Sequence, residues 1–323
     1  MATNKIQATP NVFVNAYARL HMGFLDLNGQ AGRRFGSLGL GLDAPDTLIE
    51  LALGKRIFNA AEANYVLKSK QALLAYANIK QEVSIHVHRE IPRHFGLGSG
   101  TQMALAVGAG ISQLFDLNLT LDEIANITGR GNRSGIGIGT FSTGGLVIDG
   151  GRSAKTITPP IIAQHSFPSD WRVLLIFDQG YVGIHGEEEL KAFAHLEDAD
   201  LQLTQQVCHQ VMMQALPAIK EQDLHTFGEA VALLQAYTGD YFSPVQGGRF
   251  TSQLVAQVLN FLTEDGVLCV GQSSWGPTGF AIFESEKVAE QYLTRLQSTF
   301  THPSLSWLVC AASNAAASIL FGK

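Results

Sequence analysis

Ile91-Pro-Arg-His-Phe-Gly96-Leu-Gly98-Ser99-Gly100-Thr101-Gln102 is the stretch on which the fold turns. Before it, Val83, Ile85 and Val87 alternate with Ser84, His86 and His88, the period of a strand, and Pro92 ends that strand. After it, Gly100 to Phe115 has no proline and many alanines, with Met103, Leu105, Val107, Ile111 and Leu114 at helical spacing. A strand therefore feeds a helix through a glycine-rich turn. A helix N-terminus offers unpaired N–H groups and the positive end of a dipole. Glycines let the backbone wrap an anion, and Ser99 and Thr101 add hydroxyl donors, so the stretch reads as a phosphate site. It is neither a Walker loop, since no GxxxxGK[ST] occurs, nor a dinucleotide fingerprint, since the glycine spacing differs. A tight turn made only for packing would use the same glycines.

Working outward, the first third is β-rich, with strands expected over 11–20 and 33–43. Thr120-Leu121-Asp122-Glu123 is a capping box opening a helix to about Thr128. Residues 129–151 are glycine-rich and end in the strand-like Leu146-Val147-Ile148. Beyond a strand over 172–177, helices are expected over 187–196, 199–215, 221–236 and 250–264. Strands over 266–270 and 279–283 then flank a second glycine loop, followed by a helix over 287–297 and a strand over 305–310. This order predicts an α+β protein of two lobes, residues 1–165 and 166–323. The Met212-Met213 pair and the Ala-rich stretch 311–321 read as core.

Composition narrows the function. The 323 residues are 46% apolar and 15% charged, enough to build a core and too apolar for disorder. A net charge of −6 disfavours a polyanion such as nucleic acid as partner, while leaving room for a small phosphorylated ligand at a local positive site. Cys208, Cys269 and Cys310 are scattered and form no CxxC pair, so three buried thiols are expected rather than a disulfide framework or a zinc site. The polar start and the lack of a long apolar run predict a cytoplasmic protein with no membrane partner.

The second glycine loop, Gly271-Gln-Ser273-Ser274-Trp-Gly276-Pro277-Thr-Gly279-Phe280, is weak evidence alone. The two loops together resemble the GHMP superfamily of small-molecule kinases. Pro92, Gly96, Leu97, Gly98 and Ser99 match its P-x-x-x-G-L-G-S-S-x-A loop, with Gly100 in place of the second serine. Gly271, Ser273, Gly276, Pro277 and Phe280 match its C-terminal G-x-S-x-x-G-P-x-x-F loop. Arg19 stands where the first motif of the family has a lysine. The resemblance covers essentially the whole chain and implies a ribosomal protein S5-like N-terminal domain and a ferredoxin-like C-terminal domain.

One departure stands out. In Gly131-Asn-Arg133-Ser134-Gly135-Ile136-Gly137, the last glycine falls where related kinases carry an aspartate that orients the attacking hydroxyl. Glycine cannot do this. With Arg34-Phe-Gly-Ser-Leu-Gly-Leu and Gln272-Ser-Ser-Trp-Gly-Pro, the pattern is similar to one branch of the family, the β-ribofuranosylaminobenzene 5′-phosphate synthases of methanopterin biosynthesis. That branch implies condensation of 5-phosphoribosyl diphosphate with 4-aminobenzoate or 4-hydroxybenzoate, releasing CO2 and diphosphate, with Mg2+ as cofactor. Family members are often homodimers, and the apolar excess allows one. An ATP-dependent kinase and a non-catalytic phosphosugar-binding protein are the competing functions.

The roles that follow are expectations. Gly96, Leu97, Gly98, Ser99, Gly100, Thr101 and Gln102 would hold the diphosphate, with Ser99 and Glu187 bearing on Mg2+. Arg19, His21, Asp178 and His185 are the catalytic candidates. Arg34, Ser37, Arg133, Ser134, Gly135, Ser273, Ser274 and Gly276 would contact substrate. Each has a plainer reading, since an arginine in a glycine-rich loop is often a solubilising surface residue, and an aspartate at a strand end often only shapes a turn.

Overall fold

Alternation makes the first strand. In β1, Asn11–Asp26, Val12, Val14, Ala16, Ala18 and Leu20 are fully buried, and the residues between them are not. From Leu20 to Phe24 burial becomes continuous, because a second layer covers the strand's other face. There the Phe24 N–H donates to Thr238 Oγ1 at 3.1 Å and the Leu27 N–H to the Tyr237 hydroxyl at 2.9 Å. The computed structural model describes residues 11–54, 64–181, 183 and 196–322.

Strand β2, Phe35–Leu53, runs antiparallel to β1 along most of its length, with register shifts between Tyr17 and Arg19 and between His21 and Gly23. Bulges re-aim side chains, and these two bracket Arg19 and His21. The sheet is completed by β3, Val83–Arg89, β4, Leu146–Asp149, β5, Ile161–His165, and a late strand, β10, Ser318–Phe321. Its order is β10-β1-β2-β4-β5, with β3 also on β2. One face is covered by α1 (Asn64–Tyr76), α2 (Ser99–Phe115), α3 (Leu121–Ile127) and α4 (Ile136–Thr143). Val12, Val14, Ile49 and Leu51 pack there against Leu105, Val107 and Ile111 of α2.

The second sheet contains β6 (Arg172–Asp178), β7 (Val270–Gln272), β8 (Gly279–Phe283) and β9 (Leu305–Cys310), all antiparallel in the order β7-β8-β6-β9. Between β6 and β7 lie α5 (Leu201–Gln210), a π turn at Val211–Ala215, α6 (Leu216–Glu221), α7 (Leu224–Gln246) and α8 (Gln253–Glu264), and α9 (Glu286–Thr299) joins β8 to β9. This is the expected α+β architecture with its ferredoxin-like strand order. Val173, Leu175 and Phe177 of β6 share a core with α7 and the second half of β1, while Leu174 and Ile176 face α8 and α9. Phe227 and Phe280 are fully buried, and each such side chain contributes about 1.5–3 kcal/mol by burial.

The capping box is present: the Glu123 N–H donates to Thr120 Oγ1 and the Thr120 N–H to Glu123 Oε2. Several expectations need correction. Met212 and Met213 are more than half exposed, since the π turn points Val211 and Ala215 inward instead. Ile319, Leu320 and Phe321 are exposed on the edge strand β10 rather than in the core. Cys208 is exposed, while Cys269 and Cys310 are buried. The helix α4 was hidden by its glycines. The helix expected over 187–196 lies outside the described residues, apart from Leu196. No helix among the described residues is long and apolar enough to cross a membrane.

Candidate active site

The strand-to-helix loop forms as its glycines require. Gly96 (φ 74°) and Gly98 (φ 81°) adopt left-handed conformations that other residues enter at a cost. They also let the backbone come close. A Cβ on Gly96 would lie 2.3 Å from the Ser273 carbonyl oxygen, and one on Gly98 would lie 3.0 Å from Arg19 Cγ. Arg19 holds the loop from β1, its N–H donating to the Leu97 carbonyl at 3.1 Å and its Nη1 to the Gly96 carbonyl at 2.7 Å.

The second glycine loop closes on the first. Ser273 Oγ accepts the His21 N–H at 3.0 Å and donates to the Gly96 carbonyl at 2.8 Å. The Ser274 N–H donates to the His21 carbonyl at 3.0 Å. Two motifs far apart in sequence are thus laced to the same strand.

Above them lies a cleft of about 370 Å³. Ser99 and Thr101 line it from the start of α2, Ser274, Trp275 and Gly276 from the second loop, and Arg19, Arg93 and Arg130 supply positive charge. Arg93 stacks 3.9 Å above the Tyr65 ring and lies 3.8 Å from Glu90. Burial, then the charge of Arg93, lower the pKa of Arg130. The three arginines and the N-terminus of α2 give this cleft a local positive potential.

Beside the cleft is a smaller, more enclosed cavity of about 10 Å³, room for one water, lined by His21, Phe24, Phe242, Gln272 and Ser274. Ser274 borders both spaces. His21 is 3% exposed, and neither ring nitrogen has a hydrogen-bond partner. Burial, with the Arg19 charge adding to it, lowers its pKa to about 3, so the ring is neutral at physiological pH. Phe24 lies 4.6 Å from the His21 ring, and Phe242 lies 4.1 Å from Trp275.

The GHMP kinases N terminal domain model matches residues 64–145 and the GHMP kinases C terminal model residues 215–302. The β-ribofuranosylphenol 5′-phosphate synthase of Methanocaldococcus jannaschii is 34% identical over 311 residues, covering 87% of this chain and 92% of that protein. The chain belongs to the GHMP kinase family. A second GHMP relative, the β-ribofuranosylphenol 5′-phosphate synthase of Archaeoglobus fulgidus, is 35% identical, covering 83% of this chain and 86% of that protein. A homoserine kinase structure from Cytophaga hutchinsonii shares the GHMP fold with a TM-score of 0.68 at 16% identity, covering 99% of this chain and all of that one.

Within this GHMP frame, any side chain at Gly137 requires Thr101 to shift. A Cβ there would lie 2.8 Å from Thr101 Cγ2. Gln102 is fully buried and spends its amide on the Gly137 carbonyl, so its side chain does not reach the cleft. The Leu97 side chain is likewise buried, and only its backbone serves the loop.

The remaining expected residues scatter. Ser134 Oγ and the Gly135 N–H both donate to Asp149 Oδ2, and the Gly151 N–H to Oδ1. That carboxylate orders the turn into α4, and burial raises its pKa against the pull of these bonds. Ser37 is fully buried opposite Asp149. Arg133 and these serines do not line the cleft. Arg34 bonds the Tyr241 hydroxyl and Asp198, each at 3.1 Å. Asp178 is buried and accepts from Ser252 Oγ at 2.7 Å and from the Gly180 N–H at 2.9 Å, bracketing β6 to α8. His185 and Glu187 lie outside the described residues. Sequence reading missed Arg93 and Arg130. The signal was there, since Arg93 adjoins the loop and Arg130 sits between Gly129 and Gly131, both left-handed.

Proposed function

We propose that the chain is a synthase joining 5-phosphoribosyl diphosphate to a para-substituted benzoate, with release of diphosphate and CO2. The observation that carries this reading is the shared border at Ser274 between a cationic cleft and an aromatic-lined cavity. A phosphorylated sugar and a planar aromatic acid would meet there. The names of the two synthase relatives describe a ribosylated phenol 5′-phosphate, which favours 4-hydroxybenzoate over 4-aminobenzoate as the acceptor.

In this reading diphosphate leaves C1 of the ribose with the bonding electron pair, helped by Arg19, Arg93, Arg130 and the N-terminus of α2. The ring carbon bearing the carboxylate forms the new C–C bond. The carboxyl group departs as CO2 and its bonding electrons restore the aromatic ring. No proton leaves the ring carbon, so no base is needed where a kinase has its aspartate. A neutral, unpartnered His21 suits the ring side, where it would hydrogen-bond the acceptor without adding charge. The small cavity would have to widen by side-chain motion of Phe24 or Phe242 to seat the ring.

The described residues assemble no set of three metal-ligating side chains. Mg2+ is ordinarily held by substrate phosphates and one or two protein oxygens. Ser99 at the cleft fits that pattern, and Glu187 would be its acidic partner. The ion would neutralise charge on the leaving diphosphate.

The test is an incubation with Mg2+, 5-phosphoribosyl diphosphate and carboxyl-labelled 4-hydroxybenzoate or 4-aminobenzoate in separate arms, with ATP alone as a control. Labelled CO2 that requires both substrates supports the synthase, and the better arm names the acceptor. ATP consumption without CO2 would hand the site to a kinase.

A further inference from the structure

The geometry points to Arg130 as the residue that grips the anion in the cleft, admitted over the phosphate loop by the missing side chain at Gly100. This rests on the reading of the cleft as a diphosphate site. The chain leaves α3 through two left-handed glycines, Gly129 (φ 69°) and Gly131 (φ 73°), and the Arg130 N–H donates back to the Ala125 carbonyl at 2.7 Å. That turn sends the Arg130 side chain across to the first turn of α2. A Cβ built on Gly100 would meet Arg130 Nη1 at 3.3 Å, and its Cζ and Nη2 at 3.5 Å. The guanidinium therefore lies where a side chain at position 100 would stand.

Its charge is also unbalanced. Arg130 Nε is buried without a hydrogen-bond partner, and among the described residues no carboxylate pairs with it. Glu90 lies against Arg93 instead, and Tyr65 covers the face of that guanidinium. A half-buried cation without a partner costs stability, and a bound anion removes the cost. Arginine fits the role because its planar fork meets two phosphate oxygens at once. A serine hydroxyl at position 100 would contact the phosphate as a neutral donor. Glycine there exchanges that donor for a full positive charge, suited to a leaving group that departs as an anion.

The test is calorimetric titration with inorganic diphosphate and with 5-phosphoribosyl diphosphate, in Mg2+, on the wild type, Arg130→Gln, Arg130→Lys, Gly100→Ser and the double variant Gly100→Ser/Arg130→Gln. Arg130→Gln is expected to weaken diphosphate binding about tenfold or more, and Arg130→Lys to recover part of it. Gly100→Ser should weaken binding as well, by displacing the guanidinium. The double variant should bind no more weakly than Arg130→Gln, because both changes remove one contact. Circular dichroism and thermal melts establish that each variant is folded. Wild-type affinity in a folded Arg130→Gln, or losses at 100 and 130 that simply add, would overturn the proposal and leave the diphosphate reading intact. A wild type that binds ATP but neither diphosphate compound would overturn that reading, and this one with it.

Discussion

Gln102 Nε2 donates to the Gly137 carbonyl at 2.9 Å and so ties the first turn of α2 to the first turn of α4. The loop residue and the glycine fit each other. A Cβ at position 137, which the family resemblance sets against a kinase aspartate, would lie 2.8 Å from Thr101 Cγ2, so the packing here is made for glycine.

Gly137→Asp should therefore not create a kinase. The new Cβ would press on Thr101 Cγ2, at a cost of about 1–3 kcal/mol for overpacking and more for a buried carboxylate. The expected result is a lower urea midpoint and no ATP turnover with any small alcohol. A stable variant that consumes ATP would show that the site accepts the kinase group.

Ser273 joins the two glycine loops through one hydroxyl. Ser273→Ala leaves the His21 N–H without its acceptor, and a buried group left unpaired costs about 1–3 kcal/mol. Denaturant unfolding should register that loss, and kcat/KM should fall with it because the loops are no longer tied. Stability lost with kinetics unchanged would separate the tie from the site.

Arg19 and Arg133 are expected to part company. Arg19→Ala removes a cleft charge and the bond to the Gly96 carbonyl, and kcat/KM for the phosphorylated substrate should drop about tenfold or more. Arg133→Ala, outside the cleft lining, should change it by less than about threefold. Steady-state kinetics on both variants checks the contrast.

His21 predicts an acid-side loss of stability. Its folded pKa, about 3, lies below the ordinary 6.5, so the unfolded chain binds more protons between those values. Stability from keeping the ring neutral is complete above about pH 6.5 and is lost as pH falls toward 3, by up to about 1.4 kcal/mol per pH unit. Urea unfolding at pH 5 and pH 7 should show a larger difference for wild type than for His21→Gln. Equal differences would mean that the ring already has a proton partner or solvent.

The parts of the fold legible in sequence were those with a strong local period or a chemical signature. The alternation over 83–91, the Ala-rich run after Gly100 and the capping box at Thr120 each carry their own cause, and each forms as expected. Helix α4 was not legible, because its glycines lower helix propensity and its order comes from the Asp149 carboxylate and from packing on all sides. The exposed Met212 and Met213 were misread for a related reason. A π turn shifts the face by a fraction of a turn, and no residue type announces it. In the site, glycine loops were readable because their backbone conformation demands glycine. Arg130 and Arg133 are chemically identical, and only the turn between two left-handed glycines decides which one faces the cleft.

The strand β10 pairs with β1, Val12 facing Phe321, and β1 carries both Arg19 and His21. That pairing covers Val12–Asn15, while the stretch of β1 bearing Arg19 and His21 is held by β2. Closure of this pair spans almost the entire chain, so it belongs among the last events of folding. A folding chain would then form the β1–β2 pair that carries the two basic residues before β10 docks on the other edge of β1.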